Sequence, residues 1–435
     1  MIRDRVRLGR DFNLLWAGQT VSYVGDKINL FVIPTVMILL LDASPFEVGV
    51  VGMAQWLAIP LLSMVAGVLV DRWDLRRTLI WCDLIRFGVI GILPVAWWFD
   101  FLSVPLIFAS VAVVSAMTVF FNIGYIATIA AVVPSENRVK AFSRMETSRT
   151  TSEVVGPAIA GGIYQLTGVF SLIIDAATYL FSAGAIRSMK PYGGGAGRSQ
   201  PMWVRFKRGF QLNWNDRVLR GTMLATLLAN IGGPIFVTVM PQLAYRGLGL
   251  SAGTFGTVMS VAAVGAVAGA LLTQRVSRLL GPARVMPWAI FLHSAVGLGV
   301  LAAPELPAPI VLGATLAAYG FTLVMYNVST AAVRQVRVPN EDQAISQAAF
   351  RTVTWGIIPI AAFVGGVVVD ALTEPLGSLD ATTYTMVAAT LIGTFFAWVP
   401  IASAHRRLKR EEEAAAAAAA GDDTPEALTE EVTAK

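Results

Sequence analysis

The sequence is poor in the residues that form disulfides and metal sites. Cys82 is its one cysteine, and His293 and His405 are its two histidines. A single thiol cannot form an intrachain disulfide, and this set is too small for the His/Cys ligand groups of zinc sites. Zinc chemistry and thiol redox chemistry are therefore excluded as functions, and we expect no cofactor.

Charged residues are also scarce, at 14% of the 435 residues, whereas hydrophobic residues make up 55%. The mean hydropathy of +0.65 is foreign to soluble proteins of this length. A helix that crosses a bilayer needs about 20 mostly apolar residues. The sequence therefore predicts an all-α membrane protein with twelve transmembrane helices. The twelve apolar stretches begin near Phe12, Val48, Thr78, Val104, Ser143, Phe170, Leu219, Gly253, Val285, Ala308, Ala344 and Thr382.

The basic residues lie almost entirely on one side of these predicted spans. Of the 33 Lys and Arg residues, 28 fall in every second connecting segment or in the two ends, four fall within spans, and Arg246 stands alone on the opposite side. We call the surface with the 28 basic residues the basic side and the opposite surface the far side. The positive-inside rule predicts that the basic side and both termini lie in the cytoplasm, beneath the cell membrane. Because the net charge of +5 then has a topological cause, we expect no nucleic-acid partner.

An internal repeat divides the chain into two parts. Phe121–Ile123 recurs 205 positions later as Tyr326–Val328, and Gly161–Gly162 recurs 204 positions later as Gly365–Gly366. Self-similarity at a nearly constant offset is typical of membrane transporters that are built from two structural repeats. We therefore predict two pseudo-symmetric six-helix bundles.

The predicted bundles span residues 1–189 and 218–403 and are joined by a cytoplasmic linker, residues 190–217. Aromatic residues recur along this linker at helical spacing among basic ones, which is typical of an amphipathic helix in the membrane interface. They are Trp203, Phe206, Phe210 and Trp214. The linker glycines are not followed by the Gly-Lys-Ser/Thr of a phosphate-binding loop, so no nucleotide site is expected. Residues 404–435 are predicted to be a disordered cytoplasmic tail.

A glycine-containing basic motif connects the second and third spans. Its residues, Gly67-Val-Leu-Val-Asp71-Arg72-Trp-Asp-Leu-Arg76-Arg77, resemble the G-x-L-x-D-R-x-x-R-R signature loop of the major facilitator superfamily. Basic residues that serve only to orient the helices in the membrane would explain the arginines. They would not explain the spacing from Gly67 to Asp71. The resemblance implies the major facilitator fold, with a cargo site between the halves. It also implies a conformational gate formed by Gly67, Asp71, Arg72, Arg76 and Arg77.

Two further residues are assigned to this gate from their position. Asp83 and Arg86 are expected to lie one turn apart at the basic end of the third span. We predict that they contact the signature loop rather than the cargo.

The fifth span carries a second motif. Gly156-Pro157-Ala-Ile-Ala-Gly161-Gly162 resembles the G-P-x-x-x-G-G pattern of proton-coupled exporters in the superfamily. A bendable helix with a smooth packing face is the physical reason for such a pattern, although helix packing alone could also explain it. With matching residues in spans one and six, the chain up to about Ala402 resembles the macrolide-efflux and enterobactin-exporter branch. That resemblance implies an antiporter of drugs and protons.

Polar residues within the spans are functional candidates, because they are costly in a membrane. Gln19, Ser22, Asp26 and Asn29 recur at i, i+3, i+7 and i+10 and form one polar stripe on the first span. Such a stripe is expected where a helix lines an aqueous cavity. Two roles for Asp26 stay open, namely a carrier of the coupled proton or a permanent partner of a cation elsewhere.

Further candidates lie in spans four, five, six, ten and eleven. Arg149 and Glu153 are four residues apart and are expected to pair on one face of their helix. Asp175 is predicted to lie near the outer end of its span, within reach of water. The candidate cavity is completed by Arg351, Asn122 and Asn327.

Together these features predict a secondary active transporter and not an enzyme, since no nucleophile, metal or nucleotide constellation is present. The leading hypothesis is proton-coupled efflux of amphipathic small molecules, such as macrolide-like drugs or a siderophore, by alternating access. Two alternatives stay open: a lysolipid or nutrient transporter of the same fold, and a receptor or scaffold that transports nothing. The expected partners are the lipid bilayer and a small-molecule substrate, and we expect a monomer.

Overall fold

The computed structural model describes residues 8–70, 72–191, 202–339 and 342–422, and the regular structure of these residues is entirely helical. The first six helices are α1 (Arg10–Leu39), α2 (Pro45–Val70), α3 (Leu75–Trp98), α4 (Val104–Val132), α5 (Arg138–Thr167) and α6 (Ser171–Arg187). A short helix, α7 (Met202–Asn215), follows. The remaining helices are α8 (Arg217–Gln242), α9 (Ala252–Leu280), α10 (Pro282–Gly297), α11 (Ala308–Arg337), α12 (Gln343–Trp355), α13 (Ile358–Leu376) and α14 (Ser378–Asp422).

Several helix starts are capped by the polar residues that precede them. The Asp74 carboxylate accepts a hydrogen bond from the backbone N–H of Arg77 at 2.8 Å and caps α3. Asp216 caps α8 in the same way, and Ser251 caps α9. These side chains satisfy N–H groups that have no partner within the helix.

Eleven apolar segments of the described residues are long enough to cross a membrane. One of them, with 53 residues from Ser135 to Arg187, is too long for one crossing. It turns back at Gly168, whose φ of 55° is readily adopted by glycine, and so comprises α5 and α6. When these two helices are counted separately, the segments correspond to the twelve predicted spans.

The two halves have equivalent helix packing. In the first half α1 packs on α6, α2 on α4, and α3 on both α4 and α6. In the second half α8 packs on α14, α9 on α11, and α10 on both α11 and α14. The predicted pair of pseudo-symmetric bundles is therefore confirmed, with the α12–α13 pair in the place of α5.

One span is interrupted, and it lies in the second half. It is the counterpart of α5, the fifth span, which is itself continuous. Helix α5 runs unbroken through Pro157, whereas its counterpart stops at Trp355 and restarts at Ile358. The Asn230 amide donates a hydrogen bond of 2.7 Å to the carbonyl of Thr354 and satisfies one of the groups freed there. The bend that the sequence suggested for α5 is thus not an interruption of that helix.

The predicted linker contains the amphipathic helix α7. Its aromatic rings stack in sequence, with centroids 5.7 Å apart for Trp203 and Phe206 and 5.4 Å apart for Phe210 and Trp214. The helix lies against α12, where a Cβ atom added to Gly209 would be 2.2 Å from the carbonyl oxygen of Ile345. Glycine is required at this crossing because no side chain fits.

The first part of the predicted tail, residues 404–422, continues the last helix. Helix α14 continues to Asp422. The physical reason is the alanine run, because alanine has the highest intrinsic helix propensity. Residues 423–435 lie outside the described residues.

Candidate transport cavity

The far side of the molecule is closed by contacts between the halves. A π-turn that extends α8, Leu243–Gly247, carries two of the contact residues. The hydroxyl groups of Tyr245 and Thr35 are hydrogen bonded at 2.8 Å, and the Arg246 guanidinium lies 2.6 Å from the carboxylate of Asp42. Arg246, the solitary basic residue of the far side, therefore joins the two halves.

Two glycine crossings hold the halves together at the same level. A Cβ atom added to Gly161 of α5 would be 2.5 Å from the carbonyl oxygen of Ala252 in α9. A Cβ atom added to Gly366 of α13 would be 2.5 Å from the carbonyl oxygen of Pro45 in α2. The two crossings join equivalent pairs of helices, α5 on α9 and α13 on α2, although Gly366 corresponds to Gly162 in the 204-residue repeat. Both require glycine because the backbones touch. Gly162, the neighbour of Gly161, has open space around it.

A cavity of about 360 Å³ lies between the halves, below these contacts. Helices α1, α2, α4 and α5 line it from the first half, and α8, α9 and α11 line it from the second. Its wall is largely apolar, and among the described residues that line it Lys27 is the one with a charge. Representative lining residues are Leu30, Phe31, Pro34, Trp56, Phe236 and Tyr319.

The basic side is open. The hydrogen bond that joins the halves at mid-depth runs from the backbone N–H of Ala158 to the hydroxyl of Ser260, at 2.9 Å. Nearer the basic side, the side chains of Arg149 and Glu146 on α5 are 41% and 60% exposed. Arg351 of α12, in the other half, is exposed as well. The structure therefore has the arrangement of an alternating-access transporter that is closed at the far side and open at the basic side.

A row of paired charges leads from the basic side to the cavity. Arg149 contacts both Glu146 and Glu153, so the predicted pair with Glu153 is present. The ammonium group of Lys27 lies 3.6 Å from the Glu153 carboxylate and ends the row at the cavity wall. Gly156 makes this approach possible, since a Cβ atom there would be 2.5 Å from the Cβ atom of Lys27. The sequence had singled out Gly156 but had missed Lys27 as a partner of α5.

The polar stripe of α1 does not line the cavity as expected. Gln19, Ser22 and Asn29 are buried inside the first half, where α1 packs on α6. The Tyr179 hydroxyl donates a hydrogen bond of 2.7 Å to the carboxylate of Asp26. The cavity instead receives a neighbouring, mostly apolar face of α1, which carries Leu30, Phe31 and Pro34. The sequence could find the stripe but not its direction, because a polar face can point to a polar protein interior as well as to water.

Asp83 and Arg86 also belong to this interior rather than to the signature loop. Both are fully buried and form an ion pair within α3. The Arg86 guanidinium lies 4.5 Å from the ring centre of Phe121 and 4.6 Å from that of Tyr179. Asp175 of α6 is likewise fully buried, so the prediction that water reaches it is wrong. Helices α3 and α6 place these residues on the faces that point into the first half. The positions predicted for Asp83, Arg86 and Asp175 are therefore corrected.

The signature loop lies on the open basic side. The Arg76 guanidinium donates a hydrogen bond to the carbonyl of Arg187 at the end of α6, within the first half. Arg72 and Arg77 are exposed, and Gly67 lies in the last turn of α2. Asp71 lies outside the described residues. The gating role of these residues stays a prediction.

The two repeat asparagines lie on the cavity-facing sides of their helices, nearer the basic side. Asn122 follows the cavity residue Val111 by 11 positions, and Asn327 follows Leu316 by the same number, which is about three helical turns. Both asparagines are exposed. The Arg351 guanidinium lies 5.1 Å from the ring centre of Trp355 and, in the described part of the chain, forms no ion pair.

Comparisons with known proteins agree with this architecture. The family model of the Major Facilitator Superfamily matches residues 15–362. A protein named as a bacilysin exporter, BacE of Bacillus subtilis (strain 168), is 30% identical over 181 residues, which are 40% of this chain and 42% of BacE. Macrolide efflux protein A of Streptococcus pyogenes is 26% identical over 165 residues, which are 37% of this chain and 40% of that protein. The chain thus spans less than half the length of these two relatives.

A longer match is found with multidrug efflux pump Tap of Mycobacterium bovis (strain BCG / Pasteur 1173P2). It is 25% identical over 352 residues, which are 76% of this chain and 81% of Tap. Among solved structures, nucleoside transporter NupG superposes with a TM-score of 0.72 at 14% identity, covering 90% of this chain and 98% of NupG. A likeness at this identity concerns the fold alone.

Proposed function

Because the chain belongs to the Major Facilitator Superfamily, it is a multi-pass membrane transporter and not an enzyme, and we propose that it exports amphipathic small molecules from the cytoplasm in exchange for protons. The observation that carries this proposal is the apolar cavity between the halves, at the place where this architecture binds its cargo.

The chemistry of the cavity favours lipophilic cargo with a polar group. Its volume of about 360 Å³ is within the range of small-molecule sites, and apolar and aromatic side chains dominate its wall. Gln55, Thr238 and Tyr319 supply hydrogen-bonding groups. Lys27 adds a positive charge at the wall, and its ammonium group pairs with the Glu153 carboxylate behind it.

The proposed direction follows from the positions of the opening and of the basic residues. If the basic side faces the cytoplasm, as the positive-inside rule predicts, the open cavity takes up cargo there. Closure of the basic side and separation of the glycine crossings would then release the cargo outside. Export also matches the names of the bacilysin exporter BacE, macrolide efflux protein A and multidrug efflux pump Tap.

Proton coupling is the finer part of the proposal. Buried carboxylates in membrane transporters mark proton pathways, and Asp83 and Asp175 are buried in the first half. These groups can take up and release a proton without contacting the cargo.

Everted membrane vesicles test both the direction and the energy source. Vesicles from cells that express the chain are energised by respiration and offered erythromycin, ethidium and a catecholate siderophore. We expect at least one compound to accumulate and a protonophore to abolish its accumulation. If none accumulates relative to vesicles without the protein, or if accumulation occurs only in right-side-out vesicles, the export proposal fails.

A matched pair of variants tests the cavity itself. Leu30→Trp adds bulk to the cavity wall, whereas Leu39→Trp adds it on the same helix outside the cavity. We expect the first variant to lose accumulation and the second to keep it. Equal activity of the two variants would remove the cavity from the proposal.

A further inference from the structure

We propose that Asp175 is the group that binds the coupled proton, in a closed polar site inside the first half that helix α1 separates from the cargo cavity. This inference rests on the proposed proton-coupled export and names the residue behind it. The site lies between α1, α3 and α6, so cargo and proton would occupy different places in the molecule.

The surroundings of Asp175 leave one of its oxygens unsatisfied. Its Oδ2 atom accepts a hydrogen bond of 3.0 Å from the Asn29 amide, whereas its buried Oδ1 atom has no hydrogen-bond partner. The backbone of α1 lies close to this atom: a Cβ atom added to Gly25 would be only 2.6 Å from Oδ1. A proton on Oδ1 would convert this orphaned acceptor into a donor.

Acceptors for that donor are present in the same interior. Gln19 Oε1 and Asp83 Oδ2 are buried acceptors without a hydrogen-bond partner, and the hydroxyls of Ser22 and Ser182 and the Nε–H group of Arg86 are buried without one as well. Each unpaired buried group loses its solvation without compensation. With Asp175 Oδ1, three of these atoms can only accept and one, Arg86 Nε, can only donate, so a proton on Asp175 would even the balance.

The charges that face Asp175 compensate it only in part. Asp26 approaches from α1, and Asp83 and Arg86 approach from α3, while Tyr179 lies one turn further along α6. Arg86, the one cation of the group, pairs with Asp83. Of the described Lys and Arg residues, none lies within 4.0 Å of the Asp175 carboxylate. A proton is therefore the cation that neutralises it.

Helix α1 connects this site to the transport cycle. One of its faces holds Asn29 against Asp175, and another places Lys27 and Phe31 in the cavity wall. Its last turns carry Thr35, whose hydroxyl bonds to Tyr245 across the far-side contact. Gain or loss of a proton changes the bond between Asp175 and Asn29, and α1 transmits that change to the cavity and to the far-side closure.

Infrared difference spectroscopy on the purified full chain tests the site without any cargo. A protonated carboxylic acid has a C=O stretching band that disappears when the acid ionises. We expect a buried acid band in the unmodified chain, its loss in Asp175→Asn, and its retention in Asp175→Glu. The matched control is Asp100→Asn, the same substitution in an exposed loop where φ is 56°, a conformation that asparagine tolerates. A band of equal intensity in Asp175→Asn would overturn the proposal.

Transport in proteoliposomes supplies the second measurement, with erythromycin as the probe. Asp175→Asn is expected to lose accumulation driven by a pH gradient by about tenfold or more, while exchange at equal concentrations stays within about threefold of the unmodified chain. Driven accumulation that survives in Asp175→Asn, or that an imposed sodium gradient supports, would overturn the proposal. If no compound is transported by the unmodified chain, the export proposal fails, but the infrared result still decides whether Asp175 is the proton site.

If Asp175→Asn does not fold, Asn29→Ala provides a second variant with which the proton site can be tested. It leaves the carboxyl group in place and removes its donor, so the acid band should persist and titrate at a different pH. An unchanged titration would contradict the assignment.

Discussion

The two halves share one architecture but have different interiors. The first half buries the ion pair of Asp83 and Arg86 together with Asp175, at the level of the bilayer interior. The buried polar groups at that level in the second half are mainly hydroxyls, such as that of Thr226, which is 2.9 Å from the hydroxyl of Tyr326. Among the described residues, the buried charges of the second half, Arg334 and Asp342, lie in the last turn of α11 or just beyond it. Charge within the membrane interior has thus accumulated in one bundle, as expected if that bundle carries the coupling ion and both bundles share the cargo.

The largest expected effect is on the charged interior of the first half. Arg86→Met leaves Asp83 buried without its cation and should lower the free energy of unfolding by about 3–5 kcal/mol. Thermal unfolding in detergent measures this loss. The double variant Asp83→Asn/Arg86→Met should recover much of it, and a single variant as stable as the parent would show that the charges are not buried together.

A smaller effect is expected at the glycine crossings, where the halves are equivalent. Gly161→Val should disfavour the closed far side by about 1–3 kcal/mol, because its side chain would meet the backbone of α9. Spin-label distances across the far side measure the resulting population shift.

The neighbouring glycine provides the control for that variant. Gly162→Val has open space and should change little. Gly366→Val, at the crossing of α13 with α2, should act like Gly161→Val. A difference between these two variants would show that the two crossings do not contribute equally to closure.

The hydroxyl pairs of the second half should matter less than the charges of the first. Tyr326→Phe removes the bond to Thr226 and is expected to cost about 0.5–1.5 kcal/mol of stability. The same unfolding experiment measures it. A loss as large as that of Arg86→Met would contradict the proposed difference between the interiors.

The smallest effect is expected at the far-side ion pair. The side chain of Asp42 is 96% exposed, so Arg246→Gln should change the balance between open and closed far sides by only about 0.2–1 kcal/mol. Spin-label distances at low and high salt measure it, and a large change that is insensitive to salt would make this pair a principal latch.

Much of the fold could be predicted because it depends on local sequence properties. Apolar runs indicate spans, and the alternation of basic segments divides the connections into two sides. The recurrence of Gly161–Gly162 in the second half indicates two bundles, and Gly161 and Gly366 lie at the crossings between them. The candidate site was predicted less well. Periodicity identified the polar stripe with Asn29 but could not tell a cavity from a polar interior.

Residues that act across helices were the ones that sequence analysis missed. Lys27 had been considered only as a neighbour of Asp26, and its partner Glu153 lies on α5. Tyr179 carried no signal of its own, since a tyrosine in a span is common at interfaces. Arg246 did carry a signal, because a single basic residue on the far side needs a partner.

By itself the sequence determined the solvent of this protein, its apolar spans and its two-fold repeat, because each is a property of composition or spacing along one chain, and its motifs carried the resemblance to the family. Only the tertiary structure decided which face of α1 meets the cavity, and that Asp83, Arg86 and Asp175 share one interior. The physical reason is that a helix has a defined periodicity but no direction until its neighbours pack against it.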